Sequence, residues 1–393
     1  MLPLTSVGKV GGAAPSGRRS KVEAAIHSAV AEDKTSPATA TRAIPVWMRL
    51  DAGPRKGANQ RRQPPMRRAT SIAPETDRTD DRAPIDDDTA DTIPEAPADP
   101  ITRPGDIWAL GDHRLICGDA TDPAVVARLM DGAQAALLFT SPPYAQQRDY
   151  GAAKEKVGDW DALMQGVFAT ARVKTDAQLL VNLGLVHRDS EWQPYWEGWV
   201  EWMRASGWRR FGWYVWDQGP GLPGDWNGRL APSHEFIFHF NRSPRKPHKT
   251  VPSKHAGETL GGGGLRGADG TVHAKTGTGN AIQSHRIPDS VFRIMRHKGG
   301  LGAAGSHPAV FPVALVEAVL TAFSDPGDLI YEPFCGSGTQ IVAAESAGRR
   351  CFAMELDPVY CDVAVRRWEM ATGRKAQLED RNKSTIGKET KQQ

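Results

Sequence analysis

The chain has 393 residues, a formal net charge of +3 and 39% hydrophobic residues. This length allows one large domain or two ordinary ones, and so small a net charge identifies no partner by itself. No stretch approaches the roughly 18 apolar residues of a membrane span, and the N-terminus has no apolar signal core. We therefore expect a cytoplasmic protein with no membrane partner.

The four cysteines are scattered along the chain. Cys117, Cys335, Cys351 and Cys361 form no CxxC pair, and no histidine run accompanies them. That spacing argues against a zinc ribbon and is typical of a reduced intracellular protein. We expect no metal site.

Residues 1–103 are predicted to be a disordered, charged tail rich in proline and alanine. A basic cluster at 55–68 precedes an acidic cluster at 86–99. Such a composition buries too little apolar surface to offset the entropy of ordering. The polar residues 374–393 are predicted to form a second tail, so the folded domain comprises residues 104–373.

Strand and helix patterns alternate after residue 104. Residues 113–119 and 135–140 have the apolar content of strands, and a helix between them begins with Pro123 and stops at Gly132. A helix near 161–170 and an apolar strand at 177–184 follow. This alternation predicts a doubly wound, mostly parallel α/β sheet.

An aromatic stripe comes next. Trp192, Trp196, Trp199 and Met203 fall on one face of a predicted helix. Such a stripe could stack on nucleic-acid bases, but packing into the core is the commoner use and the one we favour. Two strand candidates at 209–217 and 233–243 are expected to pair antiparallel.

Residues 241–305 interrupt the alternation with glycines and positive charge. Only Glu258, Asp269 and Asp289 oppose the basic residues there. A polyanionic partner would explain this composition, and so would a flexible surface loop with incidental charge. The basic residues are Arg242, Arg245, Lys246, Lys249, Lys254, Arg266, Lys275, Arg286, Arg293, Arg296 and Lys298.

The segment YEPFCGSGTQ, residues 331–340, predicts a strand, a tight turn and a helix. Pro333 ends the strand, and Gly336 and Gly338 permit positive φ or close approach to a ligand. Ile341 stands where the third glycine of GxGxxG is expected, which disfavours a nicotinamide cofactor. No lysine follows, so the segment is not a phosphate-binding loop of the GxxxxGK[ST] kind.

Glu355 ends the next predicted strand. At this offset from the glycines, a nucleoside-binding β-α-β unit carries a carboxylate that accepts hydrogen bonds from both ribose hydroxyls. The alternative is an ordinary surface or helix-capping acid. Asp357, directly before Pro358, is the better candidate for the helix N-cap.

The segment TSPPY follows the apolar strand at 135–140 and therefore lies at its carboxyl end, where ligands bind in doubly wound sheets. Pro142 and Pro143 lack N–H groups, so this turn presents carbonyl oxygens. The Ser141 side chain and the Pro142 carbonyl can accept the two hydrogens of an exocyclic NH₂ group, and Tyr144 can stack on a planar ring.

TSPPY and the downstream FCGSG turn together resemble the DNA amino-methyltransferases, which use S-adenosylmethionine to make N4-methylcytosine or N6-methyladenine. The catalytic loop preceding the cofactor loop resembles the permuted β class. The resemblance covers roughly residues 104–373 and implies a class I methyltransferase fold, with a mostly parallel seven-stranded sheet and an antiparallel hairpin strand. In that class the target-recognition region lies where the basic insert 241–305 lies, so the resemblance favours DNA contacts by its eleven basic residues over incidental charge.

The resemblance also implies roles for matching residues. Ser141, Pro142, Pro143 and Tyr144 would form the catalytic loop. Glu355 would hold the ribose, and Asp119 would lie near the adenine amino group. The remaining cofactor residues would be His307, Pro308, Phe311, Glu332, Pro333, Phe334, Cys335, Gly336, Ser337, Gly338 and Thr339. Many members have aspartate where this chain has Glu332.

The expected partner is double-stranded DNA with the target base flipped out, and the enzyme could be a homodimer within a restriction–modification system. Ser141 favours N4 of cytosine slightly over N6 of adenine, because aspartate is usual in adenine enzymes. Two alternatives stay open: methylation of RNA or another amine, and an inactive DNA-binding relative.

Overall fold

The structure, a computed structural model, describes residues 90–144, 159–221, 223–274, 277–296 and 311–379. The helices of these residues are α1 (Pro123–Met130), α2 (Trp160–Thr170), α3 (Glu197–Ala205), α4 (Val313–Phe323), α5 (Thr339–Ser346) and α6 (Pro358–Thr372). The strands are β1 (Ile107–Leu110), β2 (His113–Cys117), β3 (Ala135–Thr140), β4 (Val173–Leu183), β5 (Val186–Arg188), β6 (Glu191–Gln193), β7 (Arg209–Asp217), β8 (His234–Asn241), β9 (Val251–Pro252), β10 (Gly264–Arg266), β11 (Val272–Ala274), β12 (His285–Arg286), β13 (Val291–Arg293), β14 (Leu329–Glu332), β15 (Arg350–Glu355) and β16 (Gln377–Leu378).

One large sheet organises the molecule, with the strand order β13-β7-β8-β4-β3-β14-β15-β2-β1-β16. Strands β2, β15, β14, β3 and β4 are mutually parallel, and β8 runs antiparallel between β4 and β7. The seven strands from β7 to β2 therefore confirm the predicted class I methyltransferase sheet with its antiparallel strand. Strands β1, β13 and β16 extend its two edges. Although β3 precedes β14 by a long stretch of chain, the two strands are neighbours.

Helices cover both faces of the sheet because successive strand residues point to opposite sides. On one face, Leu137 and Phe139 belong to a buried cluster with residues of α4, α5 and α6. On the other, Leu138 and Tyr331 belong to a cluster with residues of α1, α2 and α3. This three-layer arrangement buries both sides of the central strands and leaves their ends for function.

Local capping sets the bounds of two predicted helices. The Asp122 side chain accepts a hydrogen bond from the Ala124 amide at 2.8 Å, and α1 begins at the proline between them. Asp357 accepts from the Val359 amide at 2.9 Å before α6, and Gly373 ends that helix with a φ of 69°. The predicted N-cap role of Asp357 is confirmed.

The aromatic stripe packs into the core, as favoured from the sequence, but without its first member. Trp199 and Met203 are fully buried on α3, and Trp196, directly before the helix, is 8% exposed. Trp192 instead lies in β6 and is 57% exposed. The spacing could not show that the helix begins only at Glu197.

The ordered domain is longer at both ends than predicted. Residues 90–103, placed in the N-terminal tail by composition, are described, and Ala90 and Thr102 are buried. At the other end, β16 pairs with β1, so residues 374–379 also belong to the fold. The remaining parts of the two predicted tails, residues 1–89 and 380–393, lie outside the described residues.

The insert after β8 contains short strands. Strands β10 and β11 form one two-stranded sheet and β9 and β12 another, while β13 joins the main sheet beside β7. All four cysteines are free and buried. Within the described residues, no helix is long and apolar enough to cross a membrane, and no three metal-binding side chains lie together.

Candidate active site

The predicted chemical residues lie at one edge of the sheet. Parallel strands β2, β15, β14 and β3 are consecutive neighbours, and their carboxyl ends lead to Asp119, Glu355, the glycine turn and Ser141 respectively. The registers pair Glu355 with Cys117 and Tyr331 with Leu138. The sheet thereby places Asp119 and Glu355 at neighbouring strand ends, although they are far apart in the sequence.

Two buried hydrogen bonds join β3, which leads into the proline turn, to the segment that contains the glycine turn. The Thr140 hydroxyl, at the end of β3, donates to Glu332 Oε1 at 2.5 Å. The Gln340 side-chain amide, in the first turn of α5, donates to the Phe139 carbonyl at 2.9 Å. Both bonds cross between β3 and the strand–turn–helix that begins with β14, so the two loops are held as one unit.

Glu332 is a buried acid with spare hydrogen-bonding capacity. Its Oε1 also accepts from the Phe334 amide at 2.8 Å, whereas its Oε2 is buried and has no hydrogen-bond partner among the described residues. Burial raises the pKa of Glu332 to about 8. A buried oxygen without a partner is costly, and a cationic ligand beside it would offset that cost.

The glycine turn has the geometry that its sequence predicted. Gly336 has a φ of 52° and Gly338 a φ of 83°, both in the left-handed region. A Cβ on Gly338 would also lie 2.9 Å from the Ala364 Cβ, so the turn needs glycine there for backbone conformation and for packing against α6. Gly338 is the N-cap of α5 and offers no side-chain cap to its amides.

Glu355 is held by backbone amides on both carboxylate oxygens. The Gly336 amide donates to Oε2 at 2.7 Å, and the Asp357 amide donates to Oε1 at 2.9 Å. Each oxygen keeps a second lone pair for a ligand hydroxyl. Burial raises the pKa of Glu355 above its usual value.

Asp119 lies beside this carboxylate, on the loop after β2. The Gly118 amide donates to the Glu355 carbonyl at 2.8 Å, which fixes the two loops side by side. Asp119 Oδ1 accepts from the Thr121 amide and hydroxyl at 2.9 and 2.8 Å. These bonds orient the Asp119 carboxylate within its turn.

A buried arginine, which the sequence did not single out, holds the glycine turn from behind. Arg367 on α6 donates to the Ser337 hydroxyl at 3.1 Å and to the Thr339 hydroxyl at 2.9 Å. These two hydroxyls therefore serve the protein's own framework. Cys335 is buried as well, and its amide donates to the Met354 carbonyl at 2.8 Å.

The proline turn is anchored by side chains from other elements. The Trp160 indole N–H donates to the Pro143 carbonyl at 2.8 Å. The Tyr144 hydroxyl donates to Glu235 Oε2 at 2.7 Å, and Asn182 Nδ2 donates to the same oxygen at 2.6 Å. Burial and the Glu235 carboxylate raise the pKa of Tyr144 well above its usual value, so the phenol keeps its proton.

Tyr144 is less available for stacking than its sequence context indicated, since it is only 4% exposed. The edge of its ring lies against the backbone of Gly184, where a Cβ would come within 2.9 Å of the ring. Within the part of the chain that the structure describes, Asn182 Oδ1 beside it is buried without a hydrogen-bond partner. No sequence pattern indicated Glu235 or Asn182, which lie on β8 and β4.

Of the three cofactor residues predicted before the glycine turn, Phe311 is described, and His307 and Pro308 lie outside the described residues. The Phe311 ring packs 5.8 Å from the ring of Phe139, measured between centroids. Phe334 and Pro333 lie in the turn itself, Phe334 half-buried and Pro333 buried.

The structure does not bring the predicted DNA-contacting residues together. Antiparallel β8 ends at Asn241, opposite Gln178 near the start of the buried part of β4, so Arg242, Arg245 and Lys246 leave the sheet at the edge away from the proline turn. Arg245 pairs with Asp325 and, at 3.6 Å, with Asp328. These two acids lie outside residues 241–305, so a comparison of charges within the insert did not include them.

Other members of the basic set have different surroundings. Arg286 and Arg293 pair with Asp289, at 2.7 and 3.8 Å respectively, and Lys249 donates to Gln283. Because β13 runs parallel to β7, Arg293 and Arg296 lie at the same edge as the proline turn. Lys254 and Arg266 are exposed, whereas Lys275 and Lys298 lie outside the described residues.

A profile of the DNA methylase family (N6_N4_Mtase) matches residues 135–366, from the start of β3 into α6. The chain belongs to this DNA methylase family. The matched span includes the proline turn, the glycine turn and Glu355, and therefore both loops of the site. This N6/N4 family of methyltransferases acts on DNA and uses S-adenosylmethionine.

Curated relatives of this DNA methylase include type II methyltransferases. M.XycI of Xanthomonas campestris pv. cyanopsidis is 27% identical over 71% of this chain and 94% of its own length. M.Cfr9I of Citrobacter freundii is 28% identical over 66% of this chain and 88% of its own length. Among solved structures, PvuII DNA methyltransferase (cytosine-N4-specific) aligns with a TM-score of 0.45 and 18% identity, covering 70% of this chain and 90% of the other.

The residues of this methylase fit its cofactor. S-adenosylmethionine carries a sulfonium and an ammonium group, a ribose and an adenine. The unpartnered Glu332 oxygen suits a cation, Glu355 has lone pairs for ribose hydroxyls, and the uncapped start of α5 suits the cofactor's carboxylate.

Proposed function

We propose that this DNA methyltransferase transfers the methyl group of S-adenosylmethionine to the exocyclic amine of a flipped-out base, with N4 of cytosine favoured over N6 of adenine. The observation that carries the proposal is the adjacency of β3 and β14, whose carboxyl ends bear Ser141 and the glycine turn. Ser141 supports the cytosine preference, because it stands where adenine enzymes usually have aspartate.

Ser141 and Pro142 hold the amine in this proposal. The exocyclic nitrogen is a poor nucleophile, since its lone pair is delocalised into the ring. Hydrogen bonds from its two N–H groups to Ser141 Oγ and the Pro142 carbonyl favour a pyramidal nitrogen with a localised lone pair. They strengthen as positive charge develops on the nitrogen, so they stabilise the transition state. Losing one acceptor should cost about 2.7–4 kcal/mol of that stabilisation.

The neighbouring loops hold the cofactor. Glu355 would accept hydrogen bonds from the ribose hydroxyls, Asp119 would bind the adenine amino group, and the turn from Phe334 to Thr339 would hold the methionine part, with the Glu332 carboxylate stabilising the positive charge. S-adenosylmethionine, when bound, supplies a methyl group already attached to a sulfonium leaving group. The methylated amine would release one N–H proton after the transfer, so no covalent enzyme intermediate is required and no residue must act as a nucleophile.

Double-stranded DNA is the proposed partner, within the cytoplasm. A base inside a duplex cannot reach the proline turn, so it must leave the stack at a cost of a few kcal/mol. Arg293 and Arg296 are the basic side chains that the fold supports best as phosphate contacts, because they lie at the catalytic edge. The type II relatives support a role in restriction–modification.

Labelled methyl transfer by the purified protein tests this function. We expect incorporation into duplex DNA and far less into RNA or free nucleosides. Ser141→Ala should lower the rate of transfer about a hundredfold or more while leaving the Kd of S-adenosylhomocysteine unchanged. Glu355→Ala should raise that Kd. Transfer to RNA in preference to DNA, or cofactor binding without transfer to any substrate, would contradict the proposal.

A further inference from the structure

A segment that precedes the family-matched region is bound to the back of the cofactor loop. Residues 90–102, here called the strap, lie before residue 135, where the family match begins. The Ala90 carbonyl accepts two hydrogen bonds from the Arg367 guanidinium, from Nε at 3.1 Å and from Nη2 at 2.8 Å. The remaining nitrogen of the same guanidinium, Nη1, donates to Ser337 and Thr339.

Arg367 is therefore shared between the strap and the glycine turn. It is 1% exposed, and every acceptor that these bonds give it is a neutral oxygen. Burial lowers the pKa of Arg367 to about 10, and the nearby Asp91 carboxylate opposes that shift. Removing the strap would leave two buried donor nitrogens without their acceptor, which is costly for a charged group. The guanidinium would then have to move, and the turn would lose its support.

The strap also contacts the start of α4, next to Phe311. Asp91 Oδ1 accepts a hydrogen bond from the Val313 amide at 3.0 Å, at the start of α4. Pro312, the N-cap of that helix, makes no side-chain cap bond of its own. Asp91 therefore caps α4 from a distance, directly after Phe311, which packs on the catalytic strand.

The far end of the strap is pinned to the same helix as Arg367. The Asp362 carboxylate on α6 accepts from the Ile101 amide at 2.6 Å, from the Thr102 amide at 3.1 Å and from the Thr102 hydroxyl. Asp362 is 4% exposed. Two buried anchors on one helix fix the strap at both of its ends.

We propose that the strap is a working part of the cofactor site and that Arg367 is a positioning residue that transmits its support to the glycine turn. Cofactor affinity then depends on residues 90–102. This inference rests on the proposed location of the cofactor at that turn.

Two truncated chains test the proposal. A chain beginning at residue 88 keeps the strap, and one beginning at residue 104 lacks it. Calorimetric titration with S-adenosylhomocysteine should give the full-length Kd for the first chain and a Kd at least tenfold higher for the second. DNA binding without cofactor, measured by fluorescence anisotropy, should change less than twofold in both. A folded chain that begins at residue 104 and binds S-adenosylhomocysteine within twofold of full length would overturn the proposal.

Point variants decide the matter if the shorter chain does not fold. Asp91→Ala should raise the Kd about fivefold, the effect of losing one helix cap of about 1 kcal/mol. Asp91→Asn keeps an acceptor oxygen and should restore most of the affinity. Arg367→Lys keeps the positive charge but loses the planar guanidinium that donates to both the strap and the glycine turn. It should weaken cofactor binding about tenfold. Wild-type affinity for S-adenosylhomocysteine in all three variants would overturn the strap's role.

The variant Glu355→Ala distinguishes a failure of the proposed function from a failure of the strap proposal. If it leaves the Kd unchanged while the strap variants raise it, the cofactor lies elsewhere and the proposed function fails, although the strap still governs cofactor binding. If Glu355→Ala raises the Kd and the strap variants do not, the strap proposal alone is wrong.

Discussion

The Thr140 hydroxyl donates a hydrogen bond of 2.5 Å to Glu332 Oε1, from the end of one parallel strand to the end of the next. The first strand leads into the proline turn and the second into the glycine turn. This contact joins the part of the site proposed to hold the amine to the part proposed to hold the methyl donor.

Thr140→Val should disturb both parts at once. Valine keeps the shape of threonine but removes the donor, leaving Glu332 with one buried bond fewer. We expect the free energy of unfolding to fall by about 1–3 kcal/mol and cofactor binding to weaken, because the carboxylate loses its orientation. Chemical denaturation and calorimetric titration would measure these effects. Thr140→Ser, which retains the hydroxyl, is the control, and a serine variant as impaired as the valine variant would argue against the bond.

Glu332→Gln should change the pH dependence of stability. Folding raises the pKa of Glu332 from 4.5 to about 8, so between those values the folded state binds a proton that the unfolded state has released. This contribution to the free energy of unfolding is complete below the lower pKa and declines as pH rises through the higher one. As pH rises from 4.5 to about 8, the unfolding free energy of the wild type should therefore fall relative to that of Glu332→Gln.

The same residue should make cofactor affinity depend on pH. A cation beside Glu332 favours the ionised carboxylate, so binding should tighten as pH rises toward about 8, with release of a proton. Titrations in buffers of different ionisation enthalpy would count that proton. Wild type and Glu332→Gln with identical pH profiles would show that Glu332 does not face the cofactor's charge.

Gly338→Ala should damage the cofactor loop more than a matched glycine change elsewhere. Gly338 combines a φ of 83° with a Cβ position 2.9 Å from the Ala364 Cβ. Gly348 has a φ of 65° but nothing within 4 Å of its Cβ position. Gly348→Ala should therefore cost only backbone strain of about 1 kcal/mol, and Gly338→Ala more, with weaker cofactor binding. Equal losses of stability in the two variants would remove packing from the explanation.

Glu235→Ala should impair the proline turn without affecting the cofactor loop. It removes the buried carboxylate to which Tyr144 and Asn182 both donate, and it leaves the Asn182 Nδ2 donor with only its longer 3.4 Å contact to the Tyr144 hydroxyl. Steady-state kinetics should show a kcat at least tenfold lower, with the Kd of S-adenosylhomocysteine unchanged. Tyr144→Phe removes only the hydroxyl and should have the smaller effect. A cofactor Kd that changes together with kcat would contradict this division of roles.

Local sequence signals were sufficient for the residues at the strand ends. Ser141 directly precedes Pro142, Gly336 lies in a glycine-containing turn, and Glu355 ends an apolar run three residues before Pro358, so each strand end could be predicted from nearby residues. The family resemblance implied the type of sheet, whereas the order of its strands, including the adjacency of β3 and β14, came only from the structure.

Contacts between distant residues were not predictable. Arg367 and Ala90 are 277 positions apart, and Tyr144 and Glu235 are 91 apart. Neither pair follows a periodicity, because each contact arises from the way separate elements pack. Arg245 shows the same limit: its charge suggested a DNA contact, yet Asp325 neutralises it from another element.

The identity of the modified nucleoside tests the central claim most directly. The full chain would be expressed in a host that lacks DNA methylation, and its DNA would be digested and analysed by mass spectrometry. We predict N4-methylcytosine with the wild type and far less of it with Ser141→Ala. Absence of both N4-methylcytosine and N6-methyladenine, from a protein that binds S-adenosylhomocysteine normally, would contradict the claim.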